Sequence, residues 1–152
     1  EEAFDRIMER AKYHLPDAPL YGVEVSNMAD EGTELIIGLT RDVQFGPLIV
    51  FGLGGIYVNL FEDVSFRLAS SLTTRKAIEE MISETKAYSL LKGFRGKEPG
   101  DIDALIDAIA RVARLSLDFE EIAEMDVNPI RVHTRGATAL DVKITISGDT
   151  NK

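Results

Sequence analysis

EIAEMDVNPIRVHTRGATALDVKITI, residues 121–146, is the stretch on which the fold turns. Its first part, Glu121 to Asn128, alternates: Ala123, Met125 and Val127 point one way, and Glu124, Asp126 and Asn128 the other. Its last part, Ala139 to Ile146, alternates too. Leu140, Val142, Ile144 and Ile146 share one side, and Asp141, Lys143 and Thr145 the other. Thr134-Arg135-Gly136 between them reads as a turn, so the stretch is a β-hairpin. Centred on Thr134 and Arg135, that hairpin pairs Asn128 with Asp141 and Asp126 with Lys143. Directly opposed Cβ atoms lie about 5 Å apart. An amide oxygen and a carboxylate at that spacing can share one hard cation, and Mg²⁺ takes one or two carboxylates plus substrate phosphates. The competing reading is a solvated hairpin face, where polar residues alternate by default. Asn and Asp are poor strand residues, which argues for a local reason to place them there. Pro129 has no N–H and should sit at an edge or a bulge.

Working outward, residues 2–15 have a helical apolar stripe of Phe4, Ile7, Met8, Ala11 and Leu15. Pro16 and Pro19 end it. Residues 21–28 and 33–40 read as two strands joined by Asp30-Glu31-Gly32. Pro47 to Phe51 reads as a third strand, apolar throughout and so expected to be buried on both faces. After Gly52-Leu53-Gly54-Gly55, the alternation of Ile56, Val58 and Leu60 suggests a short fourth strand. The middle of the chain turns helical. Thr73 or Thr74 is an N-cap before the stripe Ile78, Met81 and Ile82; Ser89 to Phe94 is a shorter helix; Asp101 caps a helix with Ile102, Leu105, Ile106, Ile109 and Ala113 at core spacing. Strands separated by a helical middle give an α+β class with a mostly antiparallel sheet. No linker divides the 152 residues. They read as one unit: a leading helix and loop (1–20), an α+β core (21–146) and a tail (147–152).

Composition narrows the function classes. A formal charge of -9 argues against a nucleic-acid surface. The chain has no cysteine, which removes disulfides, thiolate metal sites and cysteine nucleophiles and fits a reducing, cytoplasmic setting. No apolar run is long enough to span a membrane, and nothing reads as a signal peptide. The two histidines, His14 and His133, are isolated, so a zinc site is not expected; His133 reads as an exposed turn residue. No Ser or Thr has an evident base partner. Gly52-x-Gly54-Gly55 could let backbone N–H groups approach phosphate, or could simply be a bend, and it is no Walker motif. Glu34 opens an apolar strand. Asp63 and Arg67 read as a local ion pair, and Arg95-Gly96 as an anion clamp or a turn.

Seven motifs in order carry a resemblance: Gly32-x-Glu34-Leu35-Ile36-Ile37-Gly38, Arg41-Asp42, Gln44-Phe45-Gly46-Pro47, Phe51-Gly52-Leu53-Gly54-Gly55-Ile56, Asp63-Val64-Ser65-Phe66, Leu90-Leu91-Lys92-Gly93-x-Arg95-Gly96 and Asp126-Val127-Asn128-Pro129. From Ala3 to about Ile146 the chain resembles the ATP-grasp domain of NDP-forming acyl-CoA synthetases, most nearly the β part of ADP-forming acetyl-CoA synthetase and more distantly succinyl-CoA synthetase β. The resemblance implies the C-terminal subdomain of the grasp, with ATP or ADP and Mg²⁺ as cofactors. It implies that Ser26, Asn27 and Met28 border the adenine, that Glu34 lies near the ribose, and that Gly54 and Gly55 lie near the phosphates. Asn128 and Asp141 map onto the Mg²⁺ ligands, and Asp126 onto the acidic residue that orients a phosphohistidine.

The partners implied are a CoA-binding α subunit or α part carrying that histidine and the N-terminal half of the grasp, in a hetero-oligomer. The implied reaction is acyl-CoA + ADP + phosphate ⇌ acid + CoA + ATP. Asn59 stands where relatives usually carry Glu, and Val43 where Pro is common. The nearest alternative is a non-catalytic regulatory module of a protein lysine acetyltransferase, which retention of Asn128 and Asp141 leans against. A third is a subunit-interface scaffold with no ligand.

Overall fold

A computed structural model describes residues 2–54, 63–94, 96 and 98–147. Helix α1 (Glu2–His14) precedes an irregular segment; then come β1 (Thr33–Asp42), β2 (Gly46–Leu53) and β3 (Val64–Leu68). Helices α2 (Arg75–Ser83), α3 (Ala87–Leu91) and α4 (Ile102–Asp118) follow, and the chain returns to the sheet as β4 (Ile122–Val132), β5 (Ala137–Ala139) and β6 (Val142–Ile146). The strands form one antiparallel sheet in the order β3-β2-β1-β4, with β5 and β6 both paired to the far side of β4. This is the α+β class expected.

Period-2 burial sets one face against the helices. Leu35, Ile37 and Leu39 of β1, Ile49 and Phe51 of β2, and Met125, Val127, Ile130 and Val132 of β4 meet Ile78, Met81 and Ile82 of α2 and Leu105, Ile109 and Ala113 of α4 in one core. Thr74 caps α2 through Ala77 N–H at 3.3 Å. Asp101 caps α4 through Ala104 N–H at 2.9 Å, and its second oxygen accepts from Gly136 N–H at 2.7 Å. One side chain therefore ties the helix N-terminus to the hairpin turn. At the other end of α4, the Arg41 guanidinium donates to the carbonyls of Ser116, Phe119 and Ile122 at 2.6–2.7 Å.

Among the described residues, no helix packs on the opposite face of the sheet. That face carries Glu34, Ile36, Gly38 and Thr40 of β1, Val50 of β2, Phe66 of β3, and Glu124, Asp126 and Arg131 of β4, as the cross-strand pairs require. Phe66 is half exposed there.

Several expectations need correction. Residues 21–28 form no strand: β1 already has β2 on one side and β4 on the other, so no ladder edge remains for them. β2 is buried on one face only, because its other face lies on the open side of the sheet. The short helix runs Ala87–Leu91 rather than from Ser89, and Val64–Leu68 is a strand that sequence reading missed. Asp63 does not pair with Arg67. Its carboxylate accepts from Lys86 N–H and Ala87 N–H at 2.8–3.2 Å at the start of α3, while Arg67 pairs with Glu84. The fourth strand expected at Ile56–Leu60, with Asn59, lies outside the described residues.

Candidate functional site

The hairpin takes the expected register. Asp126 stands opposite Lys143 and Val127 opposite Val142. The Asn128 amide donates to the Asp141 carbonyl at 3.1 Å, and the Leu140 amide to the Pro129 carbonyl at 2.9 Å, so Asn128 and Asp141 are cross-strand neighbours. On its other side β4 bulges: between Leu35↔Ile130 and Ile37↔Val127, Asn128 and Pro129 together oppose Ile36. Proline fits there because the ladder is open. The bulge inserts one residue, so Asp126 and Arg131 both reach the open face while Val127 and Ile130 stay in the core.

Asp126 pairs with Lys143 and Asn128 neighbours Asp141, so Asp126 and Asp141 are diagonal neighbours across the hairpin. Partial burial pushes the Asp126 carboxyl above the usual carboxylate range, repulsion from Asp141 adds to this, and Lys143 opposes it. Asp141 beside Asp126 concentrates negative charge, which attracts a cation. Among the described residues, no three His, Asp or Glu side chains come together as a closed cage. The donor set of Asn128 and Asp141, with Asp126 beside them, fits Mg²⁺, which keeps waters and phosphate oxygens in its shell, and does not fit a metal needing four protein ligands.

Glu34 lies on the same open face, directly opposite Arg131. One carboxylate oxygen accepts from the Arg131 guanidinium at 2.6 Å. Arg131 also donates to the carbonyls of Ala29 and Asp30, both at 3.2 Å, and His133 Nδ1 lies 3.0 Å from the Glu31 carbonyl while its Nε2 lies 3.1 Å from Thr138 Oγ1. His133 is thus half-buried and bonded on both nitrogens, not the exposed turn residue expected. Ser26, Asn27 and Met28 are exposed on the irregular segment leading into this anchor, and Met28 lines a hollow with His133, Thr134 and Thr138.

Gly54 is buried against β1. Its amide donates to the Glu34 carbonyl at 3.1 Å, and a Cβ there would fall 2.5 Å from the Leu35 backbone. Close backbone approach therefore accounts for this glycine, and its N–H is already used. Gly55 and Arg95 lie outside the described residues. Sequence reasoning missed Arg131 and His133. Apart from Thr138, their partners are 97–102 residues away, and only the β1–β4 register reveals the Glu34–Arg131 pair.

Comparison with known proteins adds to this geometry. A family model described as an ATP-grasp domain matches residues 1–146. The chain is 47% identical over 146 residues to the ADP-forming acetate–CoA ligase I of Archaeoglobus fulgidus, covering 96% of this chain and 21% of that protein. It is 46% identical to the β subunit of the ADP-forming acetate–CoA ligase I of Pyrococcus furiosus, covering 95% of this chain and 62% of the subunit. The chain therefore spans less than two thirds of these relatives. Among solved structures it is similar to the dinucleotide-forming acetyl-coenzyme A synthetase 1 of Ca. Korarchaeum cryptofilum, in complex with coenzyme A, acetyl-coenzyme A and a phosphorylated phosphohistidine segment. The TM-score is 0.83 at 48% identity, over 95% of this chain and 64% of that one. A second structure of that synthetase holds coenzyme A and Mg-AMPPCP with the phosphohistidine segment pointing towards the nucleotide binding site; it matches with a TM-score of 0.74 at 51% identity over 78% of this chain and 55% of that one.

Proposed function

The chain belongs to the ATP-grasp domain family, and from that premise we propose that it is the nucleotide- and Mg²⁺-binding part of a cytoplasmic ADP-forming acyl-CoA synthetase of the acetyl-CoA type. That enzyme interconverts acyl-CoA, ADP and phosphate with acid, CoA and ATP through a phosphohistidine on a partner chain or part. The observation carrying this reading is that Asn128 and Asp141 are cross-strand neighbours next to Asp126, on the same strand β4 that pairs Arg131 with Glu34. Relatives that share nearly all of this chain are ADP-forming CoA ligases.

In this reading the Asn128 side-chain oxygen and the Asp141 carboxylate hold the cation. Mg²⁺, when bound, neutralises phosphate oxygens during phosphoryl transfer. The protein's share is placement. Asp126, at the edge of the same site, accepts a hydrogen bond from the imidazole of the incoming histidine and fixes which ring nitrogen faces the phosphate. Glu34 accepts from the nucleotide's ribose hydroxyls, and residues 26–28 border its base. The open face is one wall of a clamp, and the N-terminal half of the grasp supplies the other.

The test uses the assembled ligase. Asn128→Ala and Asp141→Ala each lower acyl-CoA-dependent ATP formation by more than about tenfold, since even residues behind the metal ligands usually matter that much. Unchanged rates in both would overturn the metal assignment.

A further inference from the structure

Side-chain hydrogen bonds from Arg131 and its neighbour His133 tie Glu34 and residues 29–31 to the end of β4. We propose that Arg131 is a positioning residue that aims Glu34 at the ribose and locks residues 29–31 in place beside it; the proposal rests on the assignment of Glu34 to the nucleotide.

The geometry is that of a fork with three tines in use. One terminal nitrogen donates to Glu34 Oε1 at 2.6 Å, and the other to the carbonyls of Ala29 and Asp30 at 3.2 Å. His133 holds the next carbonyl, that of Glu31, and is itself steadied by Thr138 Oγ1. Three consecutive carbonyls of the irregular segment are thus fastened to the end of β4 and the residue after it. Gly32 lets the chain come this close: a Cβ there would lie 2.5 Å from the Val132 carbonyl oxygen and 2.8 Å from Arg131 Cγ.

An ordinary surface ion pair is worth little, because two mobile side chains must be held together in water. Here the arginine side chain is only 22% exposed and its planar head satisfies three acceptors, so its position is set by the backbone and not by Glu34. The carboxylate is the dependent partner. With one oxygen committed to Arg131, the other is directed by the plane of the carboxyl group. Oε2 makes no hydrogen bond among the described residues, and the side chain is 39% exposed. A fixed, ionised acceptor on an open face suits a hydroxyl donor, and a vicinal diol offers two. Lysine could not reproduce this, because its ammonium is a point donor without the fork.

The experiment compares ADP with 2′-deoxyADP by equilibrium binding to the assembled ligase. Wild type favours ADP by about tenfold or more, the scale of a hydrogen bond to a charged group. Glu34→Gln loses most of that preference. Arg131→Met loses it to a similar extent although Glu34 is intact, and Arg131→Lys, which keeps charge and stem, fails to restore it. A general loss of folding would weaken both nucleotides equally and leave the ratio intact, so the ratio separates positioning from stability. If both arginine variants keep the wild-type ratio while Glu34→Gln abolishes it, the role of Arg131 is overturned and the Glu34 assignment stands. If Glu34→Gln also keeps the ratio, the Glu34 assignment falls, and this proposal with it.

Discussion

At the scale of the residue, Asp126 is ionised at a cost in the folded chain. Its carboxyl has a raised pKa in the folded chain because of partial burial and Asp141. A raised carboxylate pKa means the folded state prefers the protonated form. The penalty is absent below the ordinary value of about 4 and fully present once pH exceeds the folded value. Asp126→Asn should therefore raise the denaturant midpoint of the ligand-free protein at pH 7, and the gain should vanish as pH falls below about 4. Paired urea titrations at the two pH values would check this; a gain that persists in acid would point to some other cause. The cross-strand placement of Asp126, Asn128 and Asp141 was legible from sequence because a tight hairpin carries its own register. Arg131 and His133 were not. Their bonds run to residues 29–31 and to Glu34, and no local pattern encodes a strand pairing a hundred residues apart.

At the scale of elements, the hairpin is held to α4 by Asp101. Hydrogen bonds from Gly136 N–H and then Ala104 N–H hold its carboxyl below the usual range. Stability from a lowered carboxylate pKa is present above the ordinary value and lost as pH falls through the folded one. Asp101→Ala should lower the melting temperature at neutral pH, with the deficit shrinking below about pH 4; thermal scans across pH would show it. A deficit that is constant in pH would mean that the two hydrogen bonds are not the cause. Sequence showed the cap but not its second bond, since the cap is local and Gly136 is not. The segment 21–28 failed for a related reason. Tyr21, Val23 and Val25 alternate as a strand would, but alternation cannot tell whether a sheet edge is free to receive them.

At the scale of the whole molecule, helices pack on one face of the sheet, and among the described residues none packs on the other. α1 buries none of its residues, and Leu140, together with Val142, Ile144 and Ile146 of β6, is partly exposed. No helix among the described residues is long and apolar enough to cross a membrane. The fold class was legible because helices and strands each keep their period. The apolar run of β2 misled because its second face is Val50 beside Phe66 on the open side, where no helix of the described residues packs. A one-walled clamp should grip poorly, so this chain alone should bind Mg-ADP at least about tenfold more weakly than the assembled ligase, the gain expected when a preorganised second wall is added. Equal affinity would show that the second half adds no contacts.

The central claim is that Asn128 and Asp141 together hold the cation that carries the nucleotide. Isothermal titration of ADP into the assembled ligase, with and without Mg²⁺, measures this most directly. Mg²⁺ should tighten binding to wild type; Asn128→Ala and Asp141→Ala should each remove that gain, and the double variant should lose no more than either single one. A Mg²⁺-dependent gain that survives in both single variants would contradict the account.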